Sequence, residues 1–578
     1  MRKQSIDRYF TERMFRCQFF PALIAALILS LGDVADGLVL GNSVGYVGLA
    51  VIALTMPVAQ VFNVIMNGLG IGGSVRFSQQ MAQGRREAAL ADFQGIVCAS
   101  VLVGVVIGVL GNLFMKPLLF VLGTVPEDGS LFESCMLYLR VLLFGTPMLF
   151  LNYVLNYYLK NDDLEKQASM AFTAGNITDV VLNVVLVLVL HMGVVGASLA
   201  TVTGQTVGAV ISLIVIARRG GALKLMPLKP DFSKVLSSFA KGFSSSVEFL
   251  YSMIFLLIIN RLLISMTGGV GVAVLDVVLS VSYFMINLND AAAKSALPVI
   301  STYFGERNED GMRLSLRTGI RYALISGLIL GALVFAFPDV VCRFFGISEP
   351  EILAEGREAL RCFALSIPLA AICVMLGNYY EASQQERDTL LLTSLRGLLP
   401  IALAAGFMFL APVHLWKLFV LTEAFSLLVF MIYKRFRRRP PFVRERVFRK
   451  TFYSNGREIS GATEEIGAFC EKWELSPRQQ YIAAMATEEI CVATMDKGFR
   501  GKENGFIQIT LIAEEDGSLE LHIRDNADSF NPLAMEMNAK ASEDGADLDA
   551  LGIMAIKKRA KEFQYRRYQG FNTVIIRL

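Results

Sequence analysis

The sequence predicts an α-helical polytopic membrane protein, twelve transmembrane helices in two six-helix bundles, followed by a C-terminal α/β domain. Three observations predict it. Of the 578 residues, 54% are hydrophobic and 18% charged, far from a soluble average. Apolar stretches of about 20 residues, the length that crosses a hydrocarbon core, recur up to residue 434. From about residue 450 the pattern changes to amphipathic helix and alternating strand.

The expected spans are roughly 18–41, 47–73, 91–113, 134–158, 168–190, 194–217, 244–265, 270–297, 319–340, 358–381, 390–411 and 414–434. The basic start "MRKQSIDRYFTERMFRC" leads into the first run with no small-residue cleavage site after it, so that run is expected to stay in the membrane. Lys and Arg concentrate at the N-terminus and in the links "RFSQQMAQGRRE", "ARRGGALKLMPLKPDFSKVLSSFAKG" and "ERNEDGMRLSLRTGIR". The opposite links are nearly free of them, apart from Lys116, Arg343, Arg357 and Lys417. The positive-inside rule then predicts a multi-pass protein of the cytoplasmic membrane with both ends cytosolic. "KRFRRRPPFVRERVFRK" contains a basic juxtamembrane linker, 437–449, and reads either as a stop-transfer flank or as a basic segment held against anionic headgroups. A net charge of +3 gives no sign of nucleic-acid binding, and eight scattered cysteines with three histidines suggest neither a disulfide framework nor a zinc site.

The membrane part repeats itself. "DGLVLGNSVGYVGLAVIAL" from Asp36 lies on "NRLLISMTGGVGVAVLDVV" from Asn260 at an offset of 224, and "FSQQMAQGRRE" from Phe77 on "ISTYFGERNED" from Ile300 at 223. Two six-span halves in the same orientation, about 1–218 and 240–436, imply a cavity between them, a common route to alternating access. Ionisable groups at membrane depth are functional candidates by default. Asp36 lies in the first span; Asp179 and Asn183, four residues apart, share a face of the fifth. Asp276, Arg261 and Glu423 read at least as readily as local ion pairs or interfacial groups as they do as transport residues, and Asp290 and Lys294, one turn apart, as a mutual pair.

"VADGLVLGNSVGYVGLAVIALTMPVAQVFNVIMNGLGIGGSVRFSQQMAQGRREAAL" is similar to the opening of multidrug and toxic compound extrusion (MATE) transporters. "GNITDVVLNVVLVLVLHMGVVGASLATVTGQ" resembles the family's fifth and sixth spans. The resemblance covers about residues 10–435. It implies antiport, in which an organic cation or other small amphiphile leaves while Na+ or H+ enters, with the coupling carboxylate at Asp36. The family more often has the Asn first and the Asp four later, so Asp179 and Asn183 reverse its order. The charge then moves by about 6 Å along the helix.

In the last 125 or so residues, "PRQQYIAAMATEEICVATMDKG" and "LGIMAIKKRAKEF" read as helices. "FIQITLIAEED" and "SLELHIRDN" read as strands joined at Gly517, and "QYRRYQGFNTVIIRL" as a final hairpin. "EEICVA", "IRDNADSFNPL", "LGIMAIKKRA" and "GFNTVII" in this order resemble the GHKL ATPase fold in its anti-sigma-factor serine-kinase form. The resemblance puts Glu489 at the general-base position. It puts Asp525 and Asn526 at the adenine-reading turn, Gly552 at the phosphate lid and Thr573 beside the adenine. The Mg2+-binding Asn belongs four residues after the base, where this chain has Ala493, and Ala527 and Ala550 stand where glycines are usual. Without that ligand, phosphoryl transfer should suffer more than ATP or ADP affinity.

The expected protein is therefore a transporter and not an enzyme, embedded in the bilayer, with small-molecule cargo. A degenerate cytosolic domain either regulates it or docks a regulatory protein. Two rivals remain: a membrane sensor with serine-kinase output, and a flippase of lipid-linked sugars.

Overall fold

The computed structural model describes residues 3–578 except 83–84, 163, 219–222, 224–233, 244–245, 411, 438–445, 454–458, 500–504, 529–530, 532–547 and 569–570. The membrane body runs through α1 (Lys3–Val44), α2 (Tyr46–Ala82), α3 (Arg86–Leu113), α4 (Met115–Leu122), α5 (Ser130–Asn161), α6 (Glu165–Asn183), α7 (Gly193–Arg218) and α8 (Val235–Phe243). It continues through α9 (Val247–Thr267), α10 (Gly269–Gly305), α11 (Glu309–Ala336), α12 (Pro338–Phe344), α13 (Pro350–Ala382), α14 (Glu386–Leu410) and α15 (Leu418–Phe436). Among the described residues eleven helices are long and apolar enough to cross a membrane. The expected first span, 18–41, lies inside α1, of which Val34–Val44 counts as apolar helix among those residues.

The repeat in the sequence is a repeat in the backbone. Gly45 and Gly268 both take a left-handed φ, 76° and 66°, open to glycine without a Cβ penalty. They precede helices of 37 residues each, α2 and α10, which are followed by helices of 28 residues each, α3 and α11. The packing repeats as well. Gly104 and Gly108 of α3 lie against Pro147 and the Leu143 carbonyl of α5, and Gly327 and Gly331 of α11 against Pro368 and the Ala364 carbonyl of α13. Small residues let helix backbones approach this closely where lipid removes the hydrophobic drive.

The halves meet along α1, α2, α9 and α10. At one end, called far here, Asn42 Nδ2 donates to the Phe344 carbonyl over 2.9 Å. Gly41 there faces the Phe345 carbonyl so closely that a Cβ would lie 2.0 Å from it. At the near end sits the α/β domain.

That domain comprises β1 (Val447–Tyr453), α16 (Ile459–Lys472), α17 (Pro477–Ala493), β2 (Phe506–Ala513), β3 (Leu519–Asp525), α18 (Leu548–Arg559), β4 (Glu562–Tyr568) and β5 (Phe571–Arg577). The five strands are antiparallel in the order β1-β2-β3-β5-β4. Strand alternation sends Ile507, Ile509, Leu511, Leu521, Ile523, Val574 and Ile576 into a core with the helices. Ser476 caps α17 by accepting from Gln479 N, while Gln479 Oε1 accepts from Ser476 N, with Pro477 at the first position. β1 and α16 were not expected. β1 begins inside the stretch read as linker 437–449, whose residues 438–445 lie outside the described ones.

Candidate coupling site, cargo cavity and nucleotide-type pocket

α1 and α6 bring two of the expected residues into contact: Asn183 Nδ2 donates to Asp36 Oδ1. Asn183 is fully buried, at the point where α6 passes into the π-turn Val184–Val189, and Asp36 is half-buried. Asp179 lies one turn nearer the domain end, beside Thr201 of α7. Its backbone and Cβ press on Gly204, where an added Cβ would come within 2.8 Å. The reversed order of amide and acid thus gives the bond to Asp36 to the amide and leaves the second carboxylate against α7. Tyr138 of α5, which the sequence did not single out, sits within the electrostatic reach of Asp36, Asp179 and Asp276.

Asp179 Oδ1 and Asn183 Oδ1 are buried without a hydrogen-bond partner among the described residues. With Asp36 they supply hard oxygen donors, the kind that suits a proton or Na+. No group of three His, Cys, Asp or Glu side chains converges among the described residues.

A cavity of about 610 Å³ lies within the second half, lined by α9, α10, α13, α14 and α15. Four acids reach it, Glu248, Asp290, Glu381 and Glu423, together with the rings of Tyr251, Phe255, Tyr283, Phe363 and Phe419. Two acids have cations. Arg396 holds Glu423 through Nη2 at 2.7 Å and Nε at 3.1 Å, and Lys294 reaches Asp290 at 2.6 Å. Glu248 and Glu381 were missed because sequence alone does not sort cavity-facing from lipid-facing positions. Arg261 donates to the Phe120 carbonyl at 3.3 Å. Asp276 is 1% exposed, and neither oxygen has a hydrogen-bond partner among the described residues.

In the α/β domain, α17, α18 and the sheet carry the residues expected at a nucleotide site. Asp525 Oδ1 accepts from Ala527 N at 2.8 Å and from Asn572 Nδ2 at 2.7 Å. Asn572, not foreseen, is therefore Asp525's partner. Thr573, one residue on, stands opposite Arg524 in the register and so on the other face of the sheet. Asn526 Oδ1 accepts from Phe506 N at 2.9 Å, closing the start of β2. Glu488 is exposed while Glu489 is half-buried. The Glu489 carboxylate packs on Gly552 so tightly that a Cβ there would come within 2.5 Å. A phosphate between these two needs α18 to move. Ala493 is fully buried and carries no metal donor.

Residues 21–186 and 241–405 match the MatE family, and residues 453–578 the histidine kinase-like ATPase domain family. The probable multidrug resistance protein NorM of Thermotoga maritima is 23% identical over 353 residues, 60% of this chain and 74% of that protein. The multidrug export protein MepA of Staphylococcus haemolyticus is 20% identical over 439 residues, 74% of this chain and 95% of its own length. The solved inward-facing conformation of a multidrug resistance MATE family transporter of the MOP superfamily superposes with a TM-score of 0.63 at 22% identity, covering 72% of this chain and 97% of that one. With more than half of its length matched, the chain belongs to the MATE family of multidrug efflux transporters and carries a histidine-kinase-like ATPase domain behind the membrane body.

Proposed function

We infer that the chain is a secondary antiporter that exports small, amphiphilic organic cations in exchange for Na+ or H+, with its near end and α/β domain in the cytosol. The observation that carries this reading is the meeting of Asp36 and Asn183, with Asp179 a turn away and with Asp179 Oδ1 and Asn183 Oδ1 buried without a hydrogen-bond partner among the described residues. Ionised, these carboxylates oppose any arrangement that seals them from water, at a cost of the order of several kcal/mol per ion. A bound proton or Na+ would supply the compensating positive charge. Asn183 keeps Asp36 oriented, and Gly204 lets α7 close on Asp179. Neutralisation at these residues then reverses the relative stability of the two access states.

The acidic, ring-lined cavity supports a cationic cargo. Carboxylates attract the charge, and aromatic faces favour cations as well as apolar surface. In the α/β domain, the buried Ala493 and the Glu489–Gly552 contact favour a regulatory or partner-docking module over a kinase. The test is efflux of a fluorescent organic cation from vesicles holding the full chain. Asp36→Asn should insert normally and lose ion-driven efflux; undiminished efflux would remove Asp36 from the mechanism.

A further inference from the structure

The α/β domain is fastened to the membrane body by the sheet face that its own helices leave open. On β3, Ile523 points into the domain core and Arg524 points out of it. Arg524 is 2% exposed and pairs with Glu306, also 2% exposed, in the link between α10 and α11. Its guanidinium lies 4.1 Å from the ring centre of Phe10 in α1 and 5.6 Å from that of Tyr303 in α10.

Other contacts surround this pair. Arg307 Nη2 meets Glu514 Oε2 at 2.5 Å, Arg449 Nη2 donates to the Glu306 carbonyl at 3.4 Å, and Gln508 Nε2 donates to Asp7 Oδ1 at 3.3 Å. Phe571 of β5 meets Phe10 edge-on at 4.8 Å, and Arg13 lies over the same ring at 5.6 Å. The sheet thus grips the α10–α11 link and the opening turns of α1, which pack with α10, α11 and α13 of the second half, while the same helix carries Asp36 to the Asn183 contact in the first.

We propose that this contact is an autoinhibitory clamp: the docked α/β domain holds the opening turns of α1 against the second half and so slows the movement of α1, the helix that carries Asp36, so that undocking raises the transport rate. The proposal rests on the transport reading above. A buried ion pair suits a reversible joint. Desolvation offsets much of its attraction, so the docked and hydrated states lie close in free energy, while loss of one partner strands the other charge. The joint is also next to Asp525 and Asn572. Arg524 precedes Asp525 on β3, and Asn572, which bonds Asp525, follows Phe571 on β5. Two neighbouring strands therefore carry the bonded Asp525 and Asn572 on one face and clamp residues on the other.

Charge exchange tests the clamp in the full chain in proteoliposomes. Efflux of an organic cation probe and hydrogen exchange of residues 303–312 are measured together. Arg524→Glu and Glu306→Arg alone should each raise efflux severalfold and speed exchange in the link, and the double exchange should return both towards the parent. The more exposed pair Arg307→Glu with Glu514→Arg, which cannot unfold a core, should show the same pattern with a smaller amplitude. Single variants that exchange faster but transport at the parent rate would overturn the clamp, and so would a double exchange in either pair that behaves like its singles. A parent chain that moves no organic cation would instead overturn the transport reading, while exchange rates would still report whether the joint exists.

Discussion

The two halves of the membrane body share a scaffold and differ in chemistry. Both have a left-handed glycine, a 37-residue helix, a 28-residue helix and a glycine–proline crossing. Yet the first half carries the carboxylate and amide site, and the second carries the acidic cavity. Where the first half has Asp36, the repeat places Asn260, whose amide donates to the Ala53 carbonyl over 2.9 Å and ties α9 to α2. Duplication has kept what closes helix against helix, while the buried carboxylate and amide pair lies in one copy and the acidic cavity in the other.

The contrast is open to direct attack. The largest effect is expected at Asp36: Asp36→Asn should abolish ion-driven efflux in vesicles with little change in thermal stability. Its counterpart should behave in the opposite way. Asn260→Ala should keep coupling but lower stability by about 1–3 kcal/mol, because the buried Ala53 carbonyl loses its donor, seen as an earlier thermal transition in detergent. The crossings differ more finely. A Cβ on Gly104 would meet the Pro147 backbone at 2.7 Å, but one on Gly327 would meet Pro368 at 3.4 Å. Gly104→Ala should therefore cost about 1–3 kcal/mol, and Gly327→Ala almost nothing; equal losses would show that the crossings are alike after all. The smallest effect is at the cavity rim. Glu248→Gln should weaken binding of a monovalent cation about fivefold, some 1 kcal/mol, and leave a neutral analogue unaffected in a competition assay.

Much of this was legible in the sequence because its causes are local or periodic. Hydropathy marks spans, glycines mark the repeated turns, and a charge at membrane depth marks Asp36. What stayed hidden depends on which way a side chain faces in three dimensions. Glu248 and Glu381 look like any acids near helix ends until five helices enclose them. Thr573 and Asn572 differ by one strand position, and a single step reverses the face. β1 hid within a basic run that reads as a membrane flank. Ala493 announced a missing ligand, but only the structure shows that α18 also closes on Glu489.

Phe10 and Phe571 stand near opposite ends of the chain and touch at 4.8 Å. A ribosome makes the first long before the second. The opening turns of α1 must therefore wait through synthesis of the whole membrane body before they meet their last packing partner. A chain truncated anywhere short of β5 lacks Phe571, and Phe10 then keeps Tyr303 but loses its partner from the sheet.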